Sequence, residues 1–199
     1  MGLDSVALIV DIETHFDITI PNKEAEKIYT VQDIADCVVN KVTIHPSDKC
    51  KSQILFYKFR NYFIQRFPTN ENEFKPDSKL TDWIPRNELK DTWADIASKL
   101  DIELPYLSPL DLDPSKPREI KFLWITIDTH TELLTDDATA SKLIQWTLSL
   151  NHKKLIDPKN LCSKQDIENI VIGIVSESVG LHVQEIKLEH VLTNDLGID

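Results

Sequence analysis

Apolar residues at Leu3, Val6, Ile9, Ile12 and Phe16, spaced three, three, three and four apart, predict a helix with these side chains on one face. Asp4, Asp11 and Glu13 stay off that stripe, and the helix leaves through Asp17-Ile18-Thr19-Ile20-Pro21. Thr30 with Asp33 three residues on is a capping-box pattern. It opens a helix whose apolar face is Val31, Ile34, Cys37 and Val38. Residues 43–53, which include Pro46-Ser47-Asp48, read as a linker. The next helix has a broad aromatic face of Leu55, Phe56, Phe59, Phe63 and Phe67, and Pro68 stops it.

After Pro85, which suits a first helical turn, Leu89, Trp93, Ile96 and Leu100 predict another amphipathic helix. It exits through Asp101-Ile102-Glu103-Leu104-Pro105, which repeats Asp17-Ile18-Thr19-Ile20-Pro21 at an offset of 84, with Ile96 and Leu100 over Ile12 and Phe16. Residues 108–117 read as a proline-rich loop, where Asp111 and Asp113 lack a third carboxylate for a metal and are expected to lie in a solvated turn. Ile120–Ile127 is dense enough in apolar residues for a buried helix or a short strand, and its context favours helix. A helix follows over 141–148. The last begins at a Ser163 cap answered by Asp166, turns Ile167, Ile170, Val171, Ile174, Val175 and Val179 inward, and ends at Gly180.

Composition fits this mainly α reading, since 199 residues with 41% hydrophobic content suffice for one sizeable core or two small ones. Four glycines against ten prolines, with few alternating runs, argue against a sandwich or barrel. Net charge is −11, and 1–45 with 159–199 hold −9 of it. Such acidity repels nucleic acid and anionic lipid and suits basic protein partners, although an acidic surface also serves solubility alone. Aromatics beside Lys58, Arg60 and Arg66 therefore read as a core face with solvated flanks rather than as a nucleic-acid platform. Cys37, Cys50 and Cys162 have no metal-ligand spacing and read as reduced thiols. No apolar run approaches the roughly 20 residues that span a membrane, so no membrane insertion is expected and the cytoplasm is the expected location. No G-x-S-x-G, H-E-x-x-H or glycine-rich phosphate loop is present, and Asp128 and His130 have no nucleophile beside them, so no enzyme is expected.

Gly2-Leu3-Asp4-Ser5-Val6, followed by the Ile-Pro exit at Ile20-Pro21 and the Thr30-Val31 opening, resembles the acyl carrier protein family from Gly2 to about Val42. The family order is the same: a long recognition helix, an Ile-Pro exit, a short acidic third helix and a capped fourth helix. Residues 160–199, through Leu192-Thr193-Asn194-Asp195-Leu196-Gly197-Ile198-Asp199, resemble the first helix and long loop of a carrier up to the residue before the attachment Ser. The middle resembles a degenerate carrier unit in which Arg86-Asn87-Glu88 offers no hydroxyl.

The resemblance implies three segments: 1–45 as the later part of a carrier domain, 46–158 as a degenerate carrier-like helical domain, and 159–199 as the first helix and loop, packed with 1–45. The ends would then form one four-helix bundle, as a circular permutation within one chain or as a domain-swapped homo-oligomer. It also implies a 4'-phosphopantetheine arm on Ser5, with Asp4 orienting the Ser or meeting the transferase's metal-bound cofactor, and with Asp11, Glu13 and Asp17 as docking charge. The arm would tether acyl groups as thioesters in fatty acid or polyketide biosynthesis. Partners would be a phosphopantetheinyl transferase and acyl-transferring or condensing enzymes with basic docking surfaces. Two alternatives stay open: aligned without a gap, the attachment position falls on Gly2, which has no hydroxyl, and the alternative function is a non-catalytic protein-interaction module of carrier-like fold that carries no cofactor.

Overall fold

The computed structural model describes residues 2–47, 50–67, 74–113, 115, 119–122, 125–128, 133–135 and 137–199, with 119–128 described by backbone alone. The elements are α1 (Leu3–Phe16), α2 (Asn22–Ala25), α3 (Val31–Val39), α4 (Lys51–Arg66), α5 (Leu80–Trp83), a 3-10 turn at Arg86–Glu88, and α6 (Leu89–Leu100). Then come α7 (Pro109–Leu112), β1 (Glu119–Phe122), β2 (Ile125–Asp128), α8 (Ala140–Leu150), α9 (His152–Leu155), α10 (Lys164–Val179) and a 3-10 turn at Val183–Glu185. The protein is mainly helical. The chain divides into two compact units, one made of 1–53 with 148–199 and the other of 54–147. The first takes in more than 1–45 and 159–199: it also holds the linker, the start of α4, the end of α8 and α9.

In unit 1, α10 lies against α1, α3 and α9. Its buried face is Ile167, Ile170, Val171, Gly173, Ile174 and Val175, and Gly180 ends it at φ 71°. Thr30 caps α3 with the full reciprocal box: its hydroxyl accepts from the Asp33 N–H at 3.1 Å, and the Asp33 carboxylate accepts from the Thr30 N–H at 2.9 Å. Burial pushes the Asp33 carboxyl up, but the Tyr29 and Thr30 N–H groups and the Thr30 hydroxyl outweigh it and hold the group below the usual range.

The buried face of α1 differs from the sequence expectation. Ser5, Leu8, Ile9, Ile12 and Phe16 are buried, whereas Leu3 and Val6 are 88% and 46% exposed. Each three-residue step falls about 60° short of a full turn, so a run of such steps drifts around the helix. Counting back from Ile12 at about 100° per residue, Leu3 lies on the opposite side and Ser5 within about 20° of the same line.

Unit 2 is built on the aromatic face of α4. Leu55, Phe59, Tyr62 and Phe63 are buried, and the Phe63 ring meets Phe74 at 4.9 Å and Trp83 at 6.2 Å. The stop at Pro68 lies outside the described residues, and the predicted linker ends early because α4 already begins at Lys51. β1 and β2 pair antiparallel with Phe122 opposite Ile125, so the described residues of this stretch are strands and not the favoured helix. The β-branched alternation of Ile125-Thr126-Ile127 outweighs apolar density as a signal. Asp128 closes β2, while His130 lies outside the described residues.

Asp111 is a second correction. It is buried at the end of a capping box on α7, not in a solvated turn. Its carboxylate accepts from the Ser108 N–H and hydroxyl at 2.8 Å each, from the Leu133 N–H at 3.1 Å and from the Leu134 N–H at 2.7 Å. A buried carboxylate with four donors is satisfied, and it ties the two ends of this loop together.

The two units share a bonding scheme. In unit 1 the Leu192 N–H donates to Tyr29 O at 2.9 Å, Val31 N–H to His190 O at 3.2 Å and Gln32 N–H to Leu188 O at 2.8 Å, around an isolated Thr30–Val191 bridge. In unit 2 the Leu80 N–H donates to Ala138 O at 2.9 Å, Ala140 N–H to Ser78 O at 2.9 Å and Ser141 N–H to Pro76 O at 2.8 Å, around a Lys79–Thr139 bridge. The helix exits also match. Asp17 and Asp101 are the two non-glycine residues of positive φ among those described, at 54° and 52°. In each, the next N–H reaches back over the helix end, Ile18 to Glu13 O and Ile102 to Ala97 O, both at 3.1 Å.

Candidate functional site

Of the residues singled out by sequence, Asp4 and Ser5 lie in the first turn of α1, whereas Asp11 and Glu13 lie further along it and Asp17 is its C-cap. The first turn has no side-chain cap, and a backbone oxygen of Asp199 instead accepts the Ser5 N–H at 3.1 Å, satisfying a donor that a helix start leaves open. Gly2 sits against the same residue: a Cβ built on it would meet the Asp199 O at 2.5 Å and its carbonyl carbon at 2.6 Å. The close approach therefore depends on glycine.

Ser5 faces inward. It is 9% exposed, and its hydroxyl donates to Gly2 O at 3.0 Å within its own turn. Below it runs an apolar cleft of about 230 Å³, bounded by Leu8, Ile9, Ile28, Tyr29 and Leu192. Asp4, beside it in the sequence, is exposed. An arm on Ser5 must leave through a hydroxyl that is buried and already bonded, and residue 2 has no hydroxyl at all. In this placement an arm on Ser5 requires the hydroxyl to give up its bond to Gly2 O and turn outward.

The acidic residues separate into two roles. Asp11 and Asp17 are exposed. Glu13 is half-buried, and its carboxylate accepts the Ile20 N–H, pinning the chain where it leaves α1 toward Pro21. Beside it lies a groove of about 460 Å³ lined by Val6, Val10, Ile20, Pro21 and Asn22, with Val10 49% exposed. The outer side of α1 thus combines Leu3, Val6 and Val10 with the carboxylates of Asp4 and Asp11. Apolar contact flanked by negative charge suits a protein surface of positive potential.

In unit 2 the offset of 84 sets Leu89 where Ser5 stands and Arg86 where Gly2 stands. Leu89 is fully buried, and the Arg86 guanidinium donates to Asp111 O at 3.2 Å and Leu110 O at 3.5 Å. No group of three or more potential metal ligands occurs among the described residues. No helix among them is long and apolar enough to cross a membrane. Sequence reasoning missed one feature, a ring contact between half-buried His15 and buried His152, whose ring lies against Gly173. The available signal was Gly173 itself, one of four glycines and the one placed inside a helix.

Part of the chain is similar to acyl carrier proteins. It is 55% identical over 41 residues to that of Thermosynechococcus vestitus, covering 21% of this chain and 51% of that protein. It is 51% identical over 40 residues to those of Chlorobium phaeobacteroides and Chlorobium phaeovibrioides, covering 20% of this chain and 51% of each. No family model matches the chain. No solved structure matches it either. The chain spans about half the length of the curated relatives it matches, and about a fifth of it is an acyl-carrier-protein-like segment.

Proposed function

We propose that this chain is an acyl-carrier-type module, non-catalytic itself and recognised by enzymes that handle carrier proteins. Unit 1 is a carrier fold whose later part, 1–45, precedes its earlier part, 159–199, in the chain, and the middle is a degenerate copy. The observations that support this reading are the similarity of part of the chain to acyl carrier proteins and a bonding scheme of unit 1 that recurs in unit 2 at matching positions. In unit 2 the same scheme runs in uninterrupted chain order, and its helix start offers Arg86 and Leu89 in place of a hydroxyl.

Partners on this reading are a phosphopantetheinyl transferase and acyl-transferring or condensing enzymes. Their basic surfaces meet Asp4 and Asp11 on the outer side of α1 and Asp17 at its C-cap. Tethering of acyl groups as thioesters on 4'-phosphopantetheine requires Ser5 as the anchor. A second reading, favoured by the inward, hydrogen-bonded Ser5 hydroxyl, keeps the docking surface and omits the arm. Intact mass after co-expression with a phosphopantetheinyl transferase separates the two. A gain of the arm's mass that Ser5→Ala abolishes establishes tethering, and an unchanged mass with retained binding to a carrier-recognising enzyme establishes the arm-free module. A chain that is not loaded and does not bind such an enzyme rejects the carrier reading.

A further inference from the structure

Unit 1 holds a histidine pair, one ring buried and one half-buried, that the carrier reading does not use. His15, in the last turn of α1, faces His152 at the start of α9, with ring centroids 5.3 Å apart and planes inclined by 57°. His152 Nδ1 lies 2.9 Å from Ser149 O. A carbonyl only accepts, so Nδ1 carries the proton and Nε2 of the neutral ring holds a bare lone pair. The Nε2 atoms of both rings are buried and without a hydrogen-bond partner. On the far side Gly173 of α10 abuts the His152 ring and Ser149 O so closely that any Cβ there overlaps them. The His152 ring is therefore in contact with both α10 and His15.

His15 comes from the 1–53 segment, whereas His152 and Gly173 come from 148–199. The pair thus lies on the seam where the two segments of unit 1 meet. We propose that His15 and His152 form an acid-sensitive latch: as neutral rings they close the seam, and their protonation separates the α1 segment from α9 and α10. Two cationic imidazoles in contact repel, and each would bring a buried N–H with no acceptor.

The surrounding charges are few. Lys153 on α9 and Glu177 on α10 act on both rings and pair with each other at 2.7 Å, and Asp11, one turn before His15 on α1, is exposed. Burial holds both imidazoles below the ordinary histidine range. His152 and then Lys153 add to this for His15, while Glu177 opposes it; for His152 the Ser149 bond and Glu177 oppose burial. The open form therefore binds protons that the closed form does not. Stability is complete above the ordinary value of about 6.5 and is lost as pH falls below it. With two protons taken up, the opening constant rises by up to about 100-fold per pH unit in that window.

Amide hydrogen exchange of the full chain, read by mass spectrometry between pH 7.5 and 5.5 and corrected for intrinsic rates, tests this. Peptides from α1 and α10 report the seam, and peptides from α6 in unit 2 are the control. The expected result is an opening constant for α1 and α10 that climbs at least about tenfold across the window, with α6 unaffected. His15→Gln with His152→Asn, which keeps a donor toward Ser149 O, should remove the climb whatever it does to absolute protection. If that double variant does not fold, His15→Gln alone must lower the slope. Protection of α1 and α10 that stays flat in the native chain, or a slope unchanged in the variants, overturns the latch.

Discussion

Replacing Gly173 by alanine sets two effects of opposite sign against each other. Gly173 lies within α10, where alanine is favoured over glycine by about 1 kcal/mol through backbone entropy alone. Judged on local propensity, Gly173→Ala should stabilise. The new Cβ, however, overlaps His152 Nδ1 and Ser149 O and comes within 2.9 Å of His152 Cε1. Ser149 O is backbone and cannot swing away, and the ring can move only by giving up its 2.9 Å bond to that oxygen. Overpacking of this kind costs about 1–3 kcal/mol, and the lost bond about 1 kcal/mol more. The net expectation is a loss of about 2 kcal/mol. Urea unfolding of the full chain, with hydrogen exchange of α10 peptides to localise the effect, provides the value. Adding His152→Ala should recover about 1 kcal/mol of the Gly173→Ala penalty, because the ring is then gone. A stabilised or neutral Gly173→Ala variant would refute the argument, since helix propensity alone would then govern the site.

Asp111→Ala leaves four donors without their acceptor in the interior of unit 2 and should cost about 3–5 kcal/mol by chemical denaturation, with α6 and α8 losing exchange protection. Thr30→Ala removes one half of the α3 capping box and should cost about 1 kcal/mol. Because the Asp33 carboxyl is held below its usual range, the box contributes fully above the unfolded value near 4 and is lost as pH falls through the folded one, so the Thr30→Ala penalty should shrink in acid. Asp11→Lys reverses an exposed charge and should weaken binding to a basic carrier-recognising enzyme about tenfold at low salt with unchanged stability, whereas Glu13→Ala should cost about 1 kcal/mol of stability through the freed Ile20 N–H. Equal effects of the two on binding and on folding would contradict their separate roles.

Where a local signal is decided by neighbouring residues, the sequence was legible. The Thr30–Asp33 box, the Ser163 cap, the Gly180 stop and the aromatic face of α4 all depend on residues within one or two turns. The facing of α1 was not legible in this way, because the three-residue stripe and the buried set of Ser5, Leu8, Ile9, Ile12 and Phe16 share Ile9, Ile12 and Phe16 and part company toward the start of the helix. There the decision belongs to tertiary contacts: Asp199 accepts the Ser5 N–H and the cleft residues lie beneath Ser5, so the first turn is fixed by the segment 192–199. The candidate site inherits the same problem. Ser5 and Asp4 were identifiable as residue types, but whether the hydroxyl points out or in depends on contacts almost two hundred residues away.

Unit 2 shows what tolerates change in this architecture. Thr30 stands 13 positions after the exit at Asp17, against 38 positions from Asp101 to Thr139, and yet the backbone bonds around Thr30 and Thr139 correspond one for one. Lengthening a loop costs little closure entropy, about 0.6 kcal/mol per doubling, provided its ends are held where they were. Asp111 holds them: its carboxylate joins Ser108 at one end to Leu133 and Leu134 at the other, so the inserted segment leaves and returns through one bonded point. The exit at Asp101 and the bridge at Thr139 therefore keep their places whatever lies between them. At the helix start the constraint is of another kind, since what stands at residues 86 and 89 governs chemistry and packing rather than closure. Arginine at 86 and a fully buried leucine at 89 are compatible with the bonding scheme of unit 2, and neither supplies a nucleophilic oxygen. The frame and the attachment chemistry are thus separable, and the inward Ser5 of unit 1 stands nearer to Leu89 than to an exposed anchor.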